Sequence, residues 1–205
     1  MKITLLLILI AVLLIFTSTN AFEFSDIYYG KAGFSYGTAS STINDFWERA
    51  YNLGAGTNLI TRRYTQLWLA ADLNYFPAQK NTVFPIDPVY QDEDIPVKVD
   101  DMYIVTLMTK FYAFWTDRNW LIAPYNGIGL GFSKRTATHY HSESPYFQSA
   151  DANFPWAICI SFSIGLNVRL SQNLNFLCDM EFTNGFSKPT WSGYGTLACW
   201  VAFRP

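Results

Sequence analysis

The chain is short of the residues from which most chemistry is built. It has two histidines and three cysteines in 205 residues, with no CxxC pair and no Cys/His cluster. A zinc ribbon, a redox dithiol and a disulfide scaffold are therefore excluded as organising features. Only 15% of the residues are charged and the formal net charge is −2. That balance lacks the basic footprint of a nucleic-acid binder. Beyond residue 16 there is no long apolar run, so no later segment reads as a spanning helix. The reading accordingly assigns no catalytic, cofactor-binding or metal-ligating residue, no cofactor and no enzymatic activity.

What the chain does have is alternation. From Trp156 to Leu170 every even position is apolar and most are large, while every odd one is small or polar: Ala157, Cys159, Ser161, Ser163, Gly165, Asn167, Arg169. Successive side chains of a strand point to opposite faces, so this segment has one apolar face and one polar one. Strands of this kind are expected near 26–37, 50–60, 63–76, 101–115, 119–132, 155–170, 173–184 and 192–204. Most exceed the roughly 9–11 residues with which a tilted strand crosses a bilayer. Tight turns are expected at Thr61-Arg62, Thr116–Arg118 and Ser171–Asn173, and longer loops at 38–49, 77–100, 133–154 and 185–191. Short and long connections in alternation, with apolar residues spread rather than bunched, describe an all-β chain. The predicted fold is an eight-stranded antiparallel up-and-down transmembrane barrel. A soluble ligand-binding barrel would not carry Ile158, Ile160, Phe162, Ile164, Leu166 and Val168 in one outward row.

The N-terminus supports the same compartment. Met1-Lys2, an apolar run from Ile3 to Phe16 and the small-residue stretch ending at Ala21 make a signal peptide over 1–21. Its removal leaves residues 22–205 as one barrel domain, with both termini on the periplasmic side of a bacterial outer membrane.

The alternation also assigns faces. Leu67, Leu69, Ala71, Leu73 and Tyr75 face lipid, and Gln66, Trp68, Ala70, Asp72 and Asn74 face the lumen. The strand charges sent inward are Lys31, Asp72, Lys110, Arg169, Asp179 and Glu181, three of each sign, which are expected to pair. Trp68, Tyr125 and Trp200 are expected to plug a lumen that eight strands leave only wide enough for side chains. Cys178 and Cys199 both point outward on the last hairpin. Outward positions are even on one strand and odd on the other, so opposed outward pairs sum to an odd number. A loop centred near 188 makes 377 the nearest such sum, which is that of 178 and 199. Opposed Cβ atoms stand about 4.5–5.5 Å apart and a disulfide wants about 3.5–4.5 Å, so the reading favours two unbonded, lipid-facing neighbours.

The loops carry the remaining signals. Ser41–Ala50 reads as a short capped helical turn. Residues 77–100, with Pro85, Pro88, Pro96 and the acidic run Asp92-Glu93-Asp94, read as irregular and exposed. The third loop is polar and holds both histidines in Thr138-His139-Tyr-His141-Ser-Glu-Ser144. His141 with Ser142 or Ser144 is the sole set from which a hydrolase could be built, with Glu143 adjacent, but neighbours in sequence do not make a relay.

The fifth strand, Leu121-Ile-Ala-Pro-Tyr-Asn-Gly-Ile-Gly-Leu-Gly-Phe132, has a Pro-Tyr followed by alternating glycines. It resembles the outer-membrane β-barrel domain of the OmpA/OmpX-like and opacity-type surface proteins, a porin-like barrel family. Phe46–Gly56 followed by Leu67–Phe76 is similar to the early hairpin of such domains. The terminal aromatic on which such chains often finish is displaced here, Phe203 being followed by Arg204 and Pro205. The resemblance implies a monomeric, non-enzymatic surface scaffold, adhesion or membrane-stabilising element. Its partners would be outer-membrane lipids and lipopolysaccharide, with an extracellular ligand met by loop aromatics such as Phe84, Tyr90, Tyr140, Tyr146 and Phe147. A lipid A or phospholipid-modifying enzyme and a small-solute porin are the alternatives.

Overall fold

A sheet of alternating side chains can bury one face by curling until its edges meet, and this one does. The computed structural model describes residues 27–37, 48–79, 82–84, 95–136, 138–142, 150–152, 156–186 and 191–205. Eight strands close an antiparallel barrel: β1 (Tyr28–Gly37), β2 (Ala50–Thr61), β3 (Thr65–Phe76), β6 (Met102–Phe114), β7 (Ile122–Arg135), β10 (Ala157–Arg169), β11 (Leu174–Phe186) and β12 (Trp191–Phe203). Each pairs with its neighbour in this order, and β1 pairs with β12, from Tyr28 opposite Phe203 to Gly37 opposite Tyr194. Closure leaves no unpaired edge, which is what hydrocarbon demands of a sheet. The strands fall within a few residues of their predicted bounds. The largest shift is β7, which runs on to Arg135.

Four short strands were not expected. β4 (Thr82–Phe84) and β5 (Ile95–Val99) lie in the connection between β3 and β6. β8 (Thr138–Ser142) and β9 (Ala150–Ala152) lie between β7 and β10. They form a second sheet in the order β4-β5-β8-β9, so the two longest loops are bound to each other through β5 and β8. This corrects the expectation of an irregular second loop. The prolines suggested irregularity, but Pro96 lies just outside the β5 stretch that pairs with β8, where its missing N–H breaks no bond of that ladder. The expected helical turn over 41–50 lies largely outside the described residues.

The loop pattern needs a second correction. Phe186 pairs with Trp191, so the last hairpin turns in the four residues 187–190, fewer than the seven (115–121) between β6 and β7. Strict alternation of short and long connections therefore fails at the fourth loop. The strand ends that the other three loops connect lie together at one end of the barrel, the loop end. The tight turns, Ile27 and the C-terminal residues Arg204 and Pro205 share the other, the turn end.

The two ends are held differently. At the turn end, Arg63 Nε donates to Asp117 Oδ2 at 2.8 Å, tying the β2–β3 turn to the β6–β7 turn. The Asn119 backbone N–H and the Arg63 side chain together hold the Asp117 carboxyl below the usual carboxylate range. At the loop end, Asp101 accepts from the Tyr75 hydroxyl at 2.6 Å and from the Ala78 N–H at 2.9 Å, which lowers its pKa and anchors the loop from Pro77 onward to the rim.

The outer face is apolar as predicted. Leu53, Leu69, Leu107, Leu130, Ile158, Phe162, Ile164 and Leu197 all point away from the lumen and are exposed. Two aromatic girdles border this band. Tyr28, Tyr64, Trp115, Trp120 and Phe203 ring the turn end, and Tyr36, Tyr51, Tyr103, Trp156 and Phe186 ring the loop end. At about 3.3 Å per residue and a tilt of about 40°, the strand segments between girdles span roughly 20–30 Å, the height of a hydrocarbon layer.

Cys178 and Cys199 are directly opposed, as parity and the loop centre near 188 suggested, and are joined in a disulfide with Cα atoms 4.3 Å apart. The bond corrects the expectation of two unbonded neighbours. The pair is close enough because an antiparallel ladder alternates wide pairs with narrow ones near 4.5 Å. The bond closes the β11–β12 hairpin. The Cys178→Ala/Cys199→Ala variant is expected to lose about 3 kcal/mol, from the chain entropy of a loop of about 20 residues. Denaturant midpoints of the refolded variant and parent in detergent would show it.

Candidate functional site

The lumen is where the sequence concentrates polar chemistry, and it is built in three layers. Nearest the turn end lies an aromatic plug. Trp200 of β12 packs against Tyr29 of β1 with ring centroids 4.7 Å apart, against Trp68 of β3 at 5.9 Å and against Tyr112 of β6 at 5.7 Å. Tyr125 of β7 stands edge-on to Trp200 at 6.5 Å. All five are buried. These are the offset and edge-to-face contacts that aromatic quadrupoles favour.

Above the plug sits an ion ring. Lys31 Nζ lies 2.9 Å from Glu181 Oε2 and 3.6 Å from Asp72 Oδ1. Lys110 Nζ lies 2.8 Å from Glu181 Oε2 and 3.0 Å from Asp72 Oδ2. Two cations and two anions thus alternate, each touching both members of the other sign. All four side chains are at most 7% exposed. In a medium of low dielectric an isolated charge would cost several kcal/mol, and the ring is the arrangement that compensates each one twice. Asp179, two residues nearer the turn end than Glu181, accepts instead from the Tyr125 hydroxyl at 3.1 Å.

Towards the loop end the lumen is lined mainly by neutral polar side chains, with the buried Arg135 near the end of β7. The Ser35 hydroxyl donates to Asn74 Oδ1 at 2.6 Å and contacts the Thr196 hydroxyl at 2.7 Å. Asn52 Nδ2 donates to the same Asn74 oxygen at 2.8 Å. Thr106 and Tyr194 share a hydrogen bond of 3.0 Å. Phe76, Met102 and Ile104 are buried beyond them.

Room for these layers comes from inward glycines. A Cβ on Gly54 would strike the Asp72 carboxylate, one on Gly56 the Tyr29 ring, one on Gly127 the Tyr112 ring and one on Gly165 the Asp179 side chain. Side chains from β1, β3, β6 and β11 therefore lie over glycine floors on β2, β7 and β10. The alternating glycines of β7 leave space for bulky inward neighbours.

Of the six charges predicted to face inward, Lys31, Asp72, Lys110 and Glu181 form the ring and Asp179 adjoins it. Arg169 does not join them. It lies at the turn end, donating from Nε to the Ser171 carbonyl at 3.3 Å and from Nη1 to the Asn119 carbonyl at 3.1 Å. It is the last residue of its strand, beyond the plug. The predicted plug of Trp68, Tyr125 and Trp200 is present, and Tyr29 and Tyr112 complete it. Both could have been found by extending the inward phase along β1 and β6. Arg135, buried on the inward phase of β7, was missed because the strand was ended at 132. The backbone of β8 sets His139 opposite Asp151 and His141 opposite Lys98. Ser144 and Glu143 lie outside the described residues.

No family model and no curated protein matches the chain. Among solved structures, Neisserial surface protein A aligns with a TM-score of 0.54 and 11% identity, over 88% of this chain and 98% of that one. The fold is that of an eight-stranded outer-membrane barrel. The N-terminal barrel domain of Pseudomonas aeruginosa OprF aligns at TM-score 0.45 and 11% identity, over 87% of this chain and 97% of that one. Ail, the attachment invasion locus protein of Yersinia pestis, aligns at 0.45 and 12%, over 86% and 96%. At such identities the likeness is one of fold and brings no activity with it.

Proposed function

We propose that this chain is a closed outer-membrane barrel that serves as a surface scaffold, adhesion or membrane-stabilising element, and is neither a channel nor an enzyme. The observation that carries the reading is the filled lumen. Trp200 and its four aromatic partners occupy the section nearest the turn end, and the ion ring occupies the next. A solute path would have to displace both. In this reading residues 1–21 direct export and are removed, the turn end faces the periplasm, and the long loops face outward. The barrel is a monomer among lipids and lipopolysaccharide. The sheet formed by β4, β5, β8 and β9 ties two loops into one platform, which supports presentation of a fixed surface rather than independent flexible loops. Binding specificity would reside there.

Planar-bilayer conductance of the refolded protein tests this, with fluorogenic ester and lipid A deacylation assays on the same sample. The expected result is no defined channel steps and no hydrolysis. Reproducible steps would move the protein to the small-solute porins. Hydrolysis lost in His141→Ala would move it to the lipid-modifying enzymes.

A further inference from the structure

The ion ring balances its charges, but the turn-end mouth of the barrel does not. Below the aromatic plug a recess of about 180 Å³ opens between the β6–β7 turn, the β10–β11 turn and the ends of β1, β3 and β12. Its lining includes three arginines, Arg118, Arg169 and Arg204, and six side-chain amides, and, among the described residues, no carboxylate. The rest of the lining is apolar, with Trp68 and Leu177 from the plug forming the floor. The volume is many times the roughly 10–15 Å³ that one water requires.

Three guanidinium groups around one recess repel each other unless something negative is shared among them. Arg118 shows the effect. Burial and the charges of Arg204 and Arg169 push its pKa below the ordinary arginine value, against the opposing pull of Asp117. Asp117 is not free to serve as the counter-ion, because it is held by Arg63 at 2.8 Å and by the Asn119 N–H at 3.0 Å. The Arg118 Nε is buried and has no hydrogen-bond acceptor among the described residues. An unpaired charged donor is a costly thing to bury. The neighbouring side-chain amides bring donors of their own: Asn167 Nδ2 reaches the Arg118 carbonyl at 3.4 Å. Arginine forks and amide N–H groups are the set that recognises a tetrahedral oxyanion.

We propose that this recess is a binding site for a phosphate-sized oxyanion, either the phosphate of a lipid headgroup or a free inorganic ion, held by Arg118, Arg169 and Arg204. The site stands on the geometry of the chain itself. Only the lipid source depends on the barrel lying in a membrane, so failure of the closed-barrel reading in a conductance experiment leaves the site untouched.

The test uses the full refolded chain in a phosphate-free sugar detergent, observed by phosphorus NMR. Inorganic phosphate is titrated in one arm and a short-chain phosphatidic acid in the other. Saturable broadening is expected in at least one arm, weakened at least tenfold by Arg118→Gln/Arg169→Gln and about threefold or more by Arg204→Gln. Arg204→Gln guards against a misfolded double variant, since the bond from the Arg204 N–H to the Asn173 carbonyl is made by backbone alone. Broadening by phosphate alone identifies a soluble oxyanion, and by the lipid alone a headgroup. No saturation in either arm, or saturation unchanged in both variants, overturns the proposal.

Discussion

Replacing Glu181 with leucine is expected to destabilise the barrel by about 3–5 kcal/mol, the cost of leaving a buried ionic partner uncompensated. Glu181 Oε2 is within 2.9 Å of both Lys31 and Lys110, so its loss leaves two buried ammonium groups sharing Asp72 alone. The decisive measurement is a double-mutant cycle. Lys110→Met/Glu181→Leu removes one cation with one anion and keeps the Lys31–Asp72 pair. It should recover at least about half of the loss, because neighbours in one network are strongly non-additive. Denaturant unfolding of the refolded proteins in detergent gives both numbers. If Glu181→Leu lost less than about 1 kcal/mol, or if the second substitution only added to the loss, the ring would not be a mutually compensating unit. The comparison also separates two physical roles. A well-packed apolar replacement of a buried ion pair is often neutral or stabilising. A double variant as stable as the parent would mean that the ring's role lies in excluding water and setting strand register rather than in stability.

Trp200→Ala is expected to lose a similar amount, about 3–5 kcal/mol, for a different reason. Trp200 contacts four aromatic rings contributed by β1, β3, β6 and β7. Truncation leaves a cavity that the surrounding barrel cannot collapse to fill, since its radius is set by strand number. Trp200→Phe is the control. The indole N–H of Trp200 has no acceptor among the described residues, so losing it forfeits no hydrogen bond among them, and the phenylalanine variant should lose less than half as much. Equal losses in the two variants would show that the indole's polar edge matters and that an acceptor, such as a buried water, serves it. The alanine variant is also the sensitive case for conductance, because it thins the plug while leaving the ion ring in place.

The sequence by itself determined the barrel strands, their faces and the closed lumen. The reason is that the side-chain period of a strand is two, and lipid outside with polar groups inside writes that period plainly along β3, β10, β11 and β12. The same parity put Cys178 opposite Cys199, and it sent Lys31, Asp72, Lys110, Asp179 and Glu181 to one interior. Period says which face a residue takes but not how far along the axis it lies relative to residues on distant strands. Only closure of the barrel decided that Lys31 and Lys110 meet Asp72 and Glu181 while Arg169 does not. Strand stagger had likewise to be in place before three arginines from a turn and two strand ends could meet at the turn-end recess. The β4-β5-β8-β9 sheet was hidden for a related reason. Its strands are three to five residues long, too short to show a period, and the β4–β5 and β8–β9 pairs are joined into one sheet only through β5 and β8, about forty residues apart in the chain.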